Sequence, residues 1–298
     1  MSRFKFFESV DEPAKSVTDD ILRYNVSLGT LEYQLIQEQL TIANEQVISD
    51  TKTVMLWQHE HVKIFPTHHQ INLNLAKHDV VRTNQLFSQL SDFAKLFNAP
   101  VARLELKLDN SGLVIGIINQ NEIFSIWNDI KAKELLPVTN AKTSESEAII
   151  HAGDKEFSNT LELVSNGVIY RMMFPGVYGN TVPEEQIIKQ HFYPSNIVND
   201  KKIEFEGKRI SAEKDGKVIV KESFKDNSYG RHSSFLKETY DTQFKPVLNS
   251  ELNYSYKVDC TYHFDRSTGL LEYANYKIDE RLNDKFLFSS NYELTLKK

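Results

Sequence analysis

Residues 252–264 read Leu-Asn-Tyr-Ser-Tyr-Lys-Val-Asp-Cys-Thr-Tyr-His-Phe, and this stretch decides the fold class. Apolar and polar residues alternate along it, which is typical of a β-strand with one buried and one solvated face. The pattern returns over 270–282 and again over 286–296. The three segments therefore predict an antiparallel meander of long strands at the C-terminus.

Long twisted strands tend to curl, and the chain places a helix directly before these. Residues 234–245 carry Leu236, Tyr240 and Phe244 at spacings of four, which puts all three on one face of a helix. The sequence thus predicts a curved, long-stranded meander that wraps this helix.

Upstream, two turns separate strand-like runs and predict hairpins. Asn110-Ser111-Gly112 lies between 101–108 and 113–118, and Asp215-Gly216 lies between 203–212 and 217–224.

Helical spacing predicts two helices in the first half of the chain. One starts at Asp79 and runs to Phe97, and the other starts at Asn121 and ends before Pro137. The short apolar run 168–174 reads as a strand, and 178–200 reads as an irregular excursion.

These elements predict an α+β fold of two domains, each a mainly antiparallel β-sheet packed on one or two helices. The polar, aperiodic segment 138–147 follows a proline and is the predicted linker. The predicted organisation is a flexible arm (1–20), an N-terminal α+β domain (21–137), the linker (138–147) and a C-terminal β-rich domain (148–298).

Composition limits the classes of partner. The 298 residues carry a net charge of −6, and neither predicted domain is basic, which disfavours nucleic acid as a partner. The N-terminus lacks the apolar run of a signal peptide, and no stretch is apolar over the length of a membrane span. We expect a soluble, cytoplasmic protein that does not insert into a membrane.

Cys260 is the single cysteine, so an intramolecular disulfide is impossible. Its place in the alternating pattern, between Val258 and Tyr262, puts the thiol on the apolar face. A buried thiol in apolar surroundings has a raised pKa and is inert, so we interpret Cys260 as a core residue and not as a nucleophile.

Histidines offer the nearest approach to a metal site. His59 and His61 would share one face of a strand, with His68 and His69 just downstream. No further ligand follows at a fixed spacing, so the sequence favours a solvent-facing histidine pair over a metal centre. Glycine-rich phosphate loops, the Gly-x-Ser-x-Gly elbow, His-Glu-x-x-His and the EF-hand loop are all absent, and we predict neither a cofactor nor a catalytic set.

Tyrosine is concentrated in the predicted meander. Buried tyrosines need a partner for the hydroxyl, so these residues form an aromatic core, line a cavity for an amphipathic ligand, or make a protein interface. The residues concerned are Tyr254, Tyr256, Tyr262, Tyr273, Tyr276 and Tyr292.

Three functional hypotheses follow. The first is a non-enzymatic protein-interaction component, such as an adaptor, assembly or immunity-type protein, whose partner is another protein. The second is a binder of a small amphipathic ligand in a tyrosine-lined cavity of the C-terminal domain. The third is an enzyme whose site is assembled from distant residues, with His59, His61 and His232 as first candidates.

Overall fold

A computed structural model describes residues 20–25, 29–83, 96–135, 144–198, 201–226 and 233–297. Within them, 11 strands form one antiparallel sheet in the order β5-β4-β3-β2-β1-β11-β10-β9-β8-β7-β6. The strands are β1 (Gly29–Ala43), β2 (Gln46–Ile64), β3 (His69–Arg82), β4 (Arg103–Leu108), β5 (Val114–Ile117), β6 (Glu184–Pro194), β7 (Lys202–Lys214), β8 (Lys217–Asp226), β9 (Ser255–Asp265), β10 (Leu271–Asn283) and β11 (Phe286–Lys297).

The helices pack mostly on one face of this sheet. They are α1 (Gln120–Ile130), α2 (Ser144–Ser158), α3 (Thr160–Asn166), α4 (Val168–Met173), α5 (Ser233–Thr239) and α6 (Lys245–Leu248), with a 3-10 turn at Ala99–Val101 and π-helical turns at Lys131–Leu135 and Tyr240–Phe244. We call the helix-covered sheet face the inner face; it carries Leu35, Trp57, Leu106, Val258 and Leu294, all of which are buried.

The prediction of two domains, each with its own sheet, is wrong. β1 pairs with β11 along its length, so that Tyr33 lies opposite Leu296 and Leu35 lies opposite Leu294. The first and last strands of the described chain therefore join the two halves into one sheet. Alternation in a sequence reports that a strand buries one face, but it carries no information about which distant strand lies beside it.

The predicted arm and linker fall largely outside the described residues. Residues 1–19 and 136–143 are not described, whereas 144–147 begin helix α2.

The sheet curls around α3 and α4. In a flat sheet, ten strand spacings would separate β5 from β6 by about 48 Å, whereas 14 helical residues span only about 21 Å. Yet α3 contacts β5, and Arg171 of α4 donates hydrogen bonds to His191 and to the Phe192 carbonyl in β6. Both sheet edges must therefore bend towards the same pair of helices.

The predicted curvature is present, but the element inside it differs from the prediction. Segment 160–178 lies against the inner face, with the Tyr170 ring 6.3 Å from Trp57. The helix at 233–248 lies instead at the β10–β11 turn, where Phe244 packs on Phe286 with ring centroids 5.3 Å apart. Helical periodicity identifies an apolar stripe but not the surface that covers it.

Two local predictions are corrected by the structure. The apolar run 168–174 forms helix α4 and not a strand, with Tyr170, Met172 and Met173 buried; short apolar runs do not distinguish the two states. The irregular excursion 178–200 contains edge strand β6. Its first half is exposed on both faces, so no alternation marks it in the sequence.

Several local predictions are confirmed. The C-terminal meander, both hairpins and the start of α5 at Ser233 lie where expected, and α1 buries Ile123 and Trp127. Asp79 belongs to β3 and caps no helix there. The rest of that predicted helix, 84–95, lies outside the described residues.

Candidate functional site

Strand β2 places a row of polar aromatic side chains on the inner face. Trp57, His59 and His61 alternate inward along it, and the two histidines are only 5% and 4% exposed. Their rings stack with centroids 4.7 Å apart and an interplanar angle of 18°. The expected solvent-facing histidine pair is therefore wrong. Period two separates the faces of a strand, and it is Trp57 in the same register that marks this face as the inner one.

Residues 20–25, which we call the strap, cover these histidines. The Tyr24 hydroxyl is hydrogen-bonded to His61 Nε2 at 2.9 Å. The Tyr24 ring also lies 5.2 Å from the His69 ring and 4.7 Å from the Tyr178 ring, measured between centroids. One strap residue thus contacts aromatic groups from β2, from β3 and from the segment that follows α4.

Backbone hydrogen bonds hold the strap. Leu22 donates to the Asn180 carbonyl at 3.0 Å and accepts from Gly179 at 2.9 Å. Asn25 donates to the Thr268 carbonyl at 2.8 Å. The strap is therefore attached to two loops, and of its described side chains only Leu22 is fully buried.

Two further tyrosines, Tyr178 and Tyr33, lie beside Tyr24 and the histidines. Tyr178 donates to the Gly269 carbonyl and Tyr33 donates to the Leu271 carbonyl, both at 2.9 Å. Gly112 makes room for Tyr178, because a Cβ at Gly112 would lie 2.7 Å from the tyrosine ring. We call the set Tyr24, Tyr33, His59, His61, His69 and Tyr178 the histidine–tyrosine site.

Three nitrogen atoms in and beside this site are buried without a hydrogen-bond partner among the described residues: Trp57 Nε1, His59 Nε2 and His69 Nδ1. Buried polar atoms in folded proteins are normally paired, so each of these needs an explanation. A cavity of about 10 Å³, room for roughly one water molecule, adjoins His59. Its lining is Tyr24, Tyr33, His59, Leu108, Gly112, Met173, Phe174, Tyr178, Leu270 and Leu271.

The site is electrically neutral. Burial, followed by the neighbouring His61, lowers the pKa of His59 well below its usual 6.5. Burial and His69 lower the pKa of His61 to about 4. Both imidazoles are therefore uncharged at neutral pH, and no Asp, Glu, Lys or Arg belongs to the described lining of the cavity.

Five of the six tyrosines singled out in the meander face inward, and their hydroxyls are bound by protein groups. Tyr262 and Tyr276 bind each other at 2.8 Å. Tyr254 donates to Glu280 at 2.8 Å, and Tyr256 donates to the Pro194 carbonyl at 2.9 Å.

The fifth inward tyrosine, Tyr292, has a weaker hydrogen bond, and the sixth, Tyr273, faces the other way. The Tyr292 hydroxyl accepts a hydrogen bond from Gln37 at 3.4 Å. Tyr273 faces outward beside His263, with ring centroids 5.2 Å apart. Tyr254, Tyr256, Tyr262 and Tyr276 form what we call the tyrosine core.

Glu280 lies in this core and was missed by the sequence reasoning. It is 0% exposed and accepts hydrogen bonds from Ser195 Oγ, Asn196 N and the Tyr254 hydroxyl at 2.6, 2.7 and 2.8 Å. Its alternation with apolar neighbours was a usable signal. A carboxylate in a strand position that faces inward must be paired.

Cys260 is buried as predicted, and burial raises the pKa of its thiol. His69 was noted in the sequence only for its closeness to the histidine pair. Tyr24, Tyr33 and Tyr178 were missed. Tyr33 alternates with Leu31 and Leu35 along β1, which was a usable signal, whereas no local pattern marks Tyr24 or Tyr178.

The described residues hold no group of three or more His, Cys, Asp or Glu placed for a metal ion. Within this part of the chain, then, His59 and His61 have no third ligand of these types. Nor does any described helix have both the length and the apolar character to cross a membrane. His232 lies outside the described residues.

Comparison with known proteins shows no family for this chain. No family model and no curated protein matches it. Among solved structures it is similar to one described as lipid-protein interactions in lipovitellin, with a TM-score of 0.49 and 8% identity over 90% of this chain. The chain spans only 25% of that lipovitellin chain. A Salmonella typhi OmpF complex with daunomycin matches with a TM-score of 0.21 and 6% identity, covering 91% of this chain and 98% of that one. At these levels neither likeness indicates a function.

Proposed function

We propose that this protein binds a small, uncharged, amphipathic molecule at the histidine–tyrosine site. The observation that carries the proposal is His59 Nε2, which is buried without a partner among the described residues and belongs to a residue that lines the cavity. A ligand bearing a hydroxyl or carbonyl group in this cavity would supply the missing hydrogen bond to His59.

The lining defines the chemistry of the ligand. Phe174, Met173 and Leu108 offer apolar contact, while His59 offers a neutral nitrogen that can donate or accept according to its tautomer. A charged head group would lose its hydration here without gaining a counter-charge. The ligand class is therefore neutral, with an apolar body and one polar end.

Binding requires the strap to move, because the cavity beneath it holds about one water molecule. The strap is held by backbone hydrogen bonds of Asp20, Leu22 and Asn25, by Arg266, which donates to the Ile21 carbonyl, and by the bond between Tyr24 and His61; none of these bonds belongs to the sheet. Its displacement leaves the 11 paired strands intact. The site thus opens at the cost of a local rearrangement and not of unfolding.

Native mass spectrometry of the gently purified protein, compared with the same sample denatured, gives the first test. We expect a neutral small molecule retained only in the folded state. Calorimetric titration with octan-1-ol gives the second, with octyl sulfate as the charged counterpart. Octan-1-ol should bind saturably and octyl sulfate should not.

Two variants locate the site. His59→Phe removes the unpaired nitrogen and should weaken octan-1-ol binding roughly tenfold. Tyr276→Phe is the matched control, since it removes a hydroxyl in the tyrosine core and should leave binding unchanged. The reverse result would assign the ligand to the tyrosine-lined cavity of the sequence hypothesis. No saturable binding by wild-type protein would overturn the proposal.

A second candidate function is the protein-interaction role, and edge strand β6 favours it. Ile187 and Phe192 are 75% and 40% exposed on this strand, and among the described strands β6 pairs with β7 alone. The groove beside it is bordered by four lysines, Lys189, Lys208, Lys225 and Lys257, and by two glutamates, Glu185 and Glu206. An extended segment with acidic side chains fits such an edge by strand addition.

Ile187→Asp tests this second role, because it reverses the surface chemistry without touching the core. The variant should lose partners captured by crosslinking in the native cell, while His59→Phe keeps them. Equal capture by both variants would remove β6 as the contact. We keep a cytoplasmic location as part of the proposal and enzymatic activity as an alternative.

A further inference from the structure

We infer that the histidine–tyrosine site selects a phenol, and that Tyr24 occupies the phenol position until a ligand displaces it. This inference rests on the proposed function and names its ligand class. It is carried by the surroundings of the Tyr24 ring.

Three aromatic groups enclose that ring. His61 lies tilted at 5.3 Å, His69 lies edge-on at 5.2 Å with an interplanar angle of 87°, and Tyr178 lies tilted at 4.7 Å. Tilted and edge-to-face geometries at these distances are the favourable ones for aromatic pairs. The walls therefore recognise a flat ring better than an alkyl chain of the same area.

The hydroxyl of the ring is recognised separately. His61 Nε2 lies 2.9 Å from it, and His61 is neutral because its pKa is lowered to about 4. Burial also raises the pKa of Tyr24 above its usual 10, so this phenol stays protonated. A neutral imidazole and a protonated phenol form one hydrogen bond that a ring without a hydroxyl cannot make.

Tyr24 also lines the cavity next to His59. When Tyr24 leaves, its own volume joins that cavity, and the unpartnered His59 Nε2 becomes part of the enlarged space. A free phenol would remake the contacts of Tyr24 and could extend towards His59. Binding is therefore an exchange of one phenol for another, in competition with a tethered group.

Hydrogen exchange of the wild-type protein with p-cresol tests the exchange directly. The amide protons of Leu22 and Asn25, which bond to the carbonyls of Asn180 and Thr268, should exchange faster when p-cresol is bound. Toluene at the same concentration lacks the hydroxyl and should leave both unchanged. Faster amide exchange in the strap on p-cresol binding would show that the ligand displaces Tyr24, whereas a ligand that only fills the existing cavity would not speed up exchange.

Variants at Tyr24 give the second readout by calorimetry. Tyr24→Phe keeps the ring but loses the hydrogen bond to His61, so p-cresol should bind roughly fivefold tighter than to wild type. Tyr24→Ala removes the competitor and should bind it tighter still. Tyr276→Phe, in the tyrosine core, should match wild type, and Tyr24→Phe remains informative if the alanine variant does not fold.

Each outcome decides something different. Binding of p-cresol without faster exchange at Leu22 and Asn25, or equal affinity for wild type and Tyr24→Phe, would overturn displacement of Tyr24. Binding of octan-1-ol but not p-cresol would overturn the phenol class and leave the proposed function standing. Failure of both ligands in wild type and in Tyr24→Phe would overturn the inference together with the proposed function.

Discussion

The histidine–tyrosine site and the tyrosine core have the same kind of strand pattern but differ in whether their buried polar atoms are hydrogen-bonded. Both arise from alternating strands that turn polar aromatic side chains inward. In the tyrosine core, hydroxyls bind each other, Glu280 or a backbone carbonyl. In and beside the histidine–tyrosine site, three buried nitrogens have no described partner.

The difference lies in what covers each region. The loop around Ser195 and Asn196 covers the core and supplies donors to Glu280. The site is covered by the strap, which contributes one hydroxyl through Tyr24. Polar side chains that face inward therefore stabilise the fold where the covering segment forms hydrogen bonds with them. Where the covering segment leaves them without hydrogen bonds, they are available to a ligand.

The largest expected effect that separates the two regions is the response to acid. The pKa values of buried His59 and His61 are lowered from 6.5, so between pH 6.5 and about 4 the unfolded chain binds more protons than the folded protein. Stability is therefore complete above pH 6.5 and falls as the pH drops. Each histidine should remove about 1.4 kcal/mol per pH unit in this window.

Urea unfolding at a series of pH values measures this slope, and His59→Phe should reduce it. Glu280 acts with the opposite sign, since burial raises its pKa above 4.5 and the folded protein then holds the extra proton. A profile that is flat from pH 6.5 to 4 would contradict the buried, neutral state of the histidines.

Glu280→Ala should cause the next largest loss, about 3 kcal/mol in the free energy of unfolding. Removing the carboxylate leaves Ser195 Oγ, Asn196 N and the Tyr254 hydroxyl without their acceptor. Guanidinium unfolding measures the loss, and Glu280→Gln, which retains one acceptor oxygen, should lose less. If both variants are as stable as wild type, Glu280 does not organise the core.

Tyr262→Phe should cost about 1–2 kcal/mol, because it removes the buried hydrogen bond that Tyr262 donates to the Tyr276 hydroxyl. The ring remains, so packing is preserved. Thermal unfolding detects the shift, and Tyr273→Phe on the outer face is the matched control with no expected change. A neutral effect of Tyr262→Phe would mean that water replaces the lost hydroxyl.

His59→Leu should have the smallest effect and the opposite sign, a gain of about 1 kcal/mol at neutral pH. It replaces a buried nitrogen without a partner by an apolar side chain of similar size. The same urea titration measures it. Destabilisation comparable to that of Tyr262→Phe would show that His59 is already paired, and the basis of the proposed function would be lost.

Much of the local structure could be predicted from the sequence, and the successes share one cause. The alternation over 252–264 is long enough to fix both a strand and its buried face, and Cys260 lies on that face as predicted. Short patterns carried less information. The run 168–174 fits a strand or a helix equally well, and only its packing under the sheet makes it α4.

The candidate site shows the same limit. Alternation indicated that His59 and His61 share a face, yet it could not say that this face is the inner one. Tyr24 and Tyr178 come from distant segments without a pattern of their own. Their meeting with the histidines depends on strap and loop contacts that no local rule describes.

By itself, then, the sequence determined the strands of the C-terminal meander and of two hairpins, where those hairpins turn, and that the meander is amphipathic. Tertiary structure alone decided that β1 pairs with β11, that one sheet curls around α3 and α4, and that the histidines are buried. The physical reason is the sequence distance over which each interaction acts. Backbone geometry and side-chain period act over a few residues, whereas pairing and burial depend on which surfaces meet after long loops close.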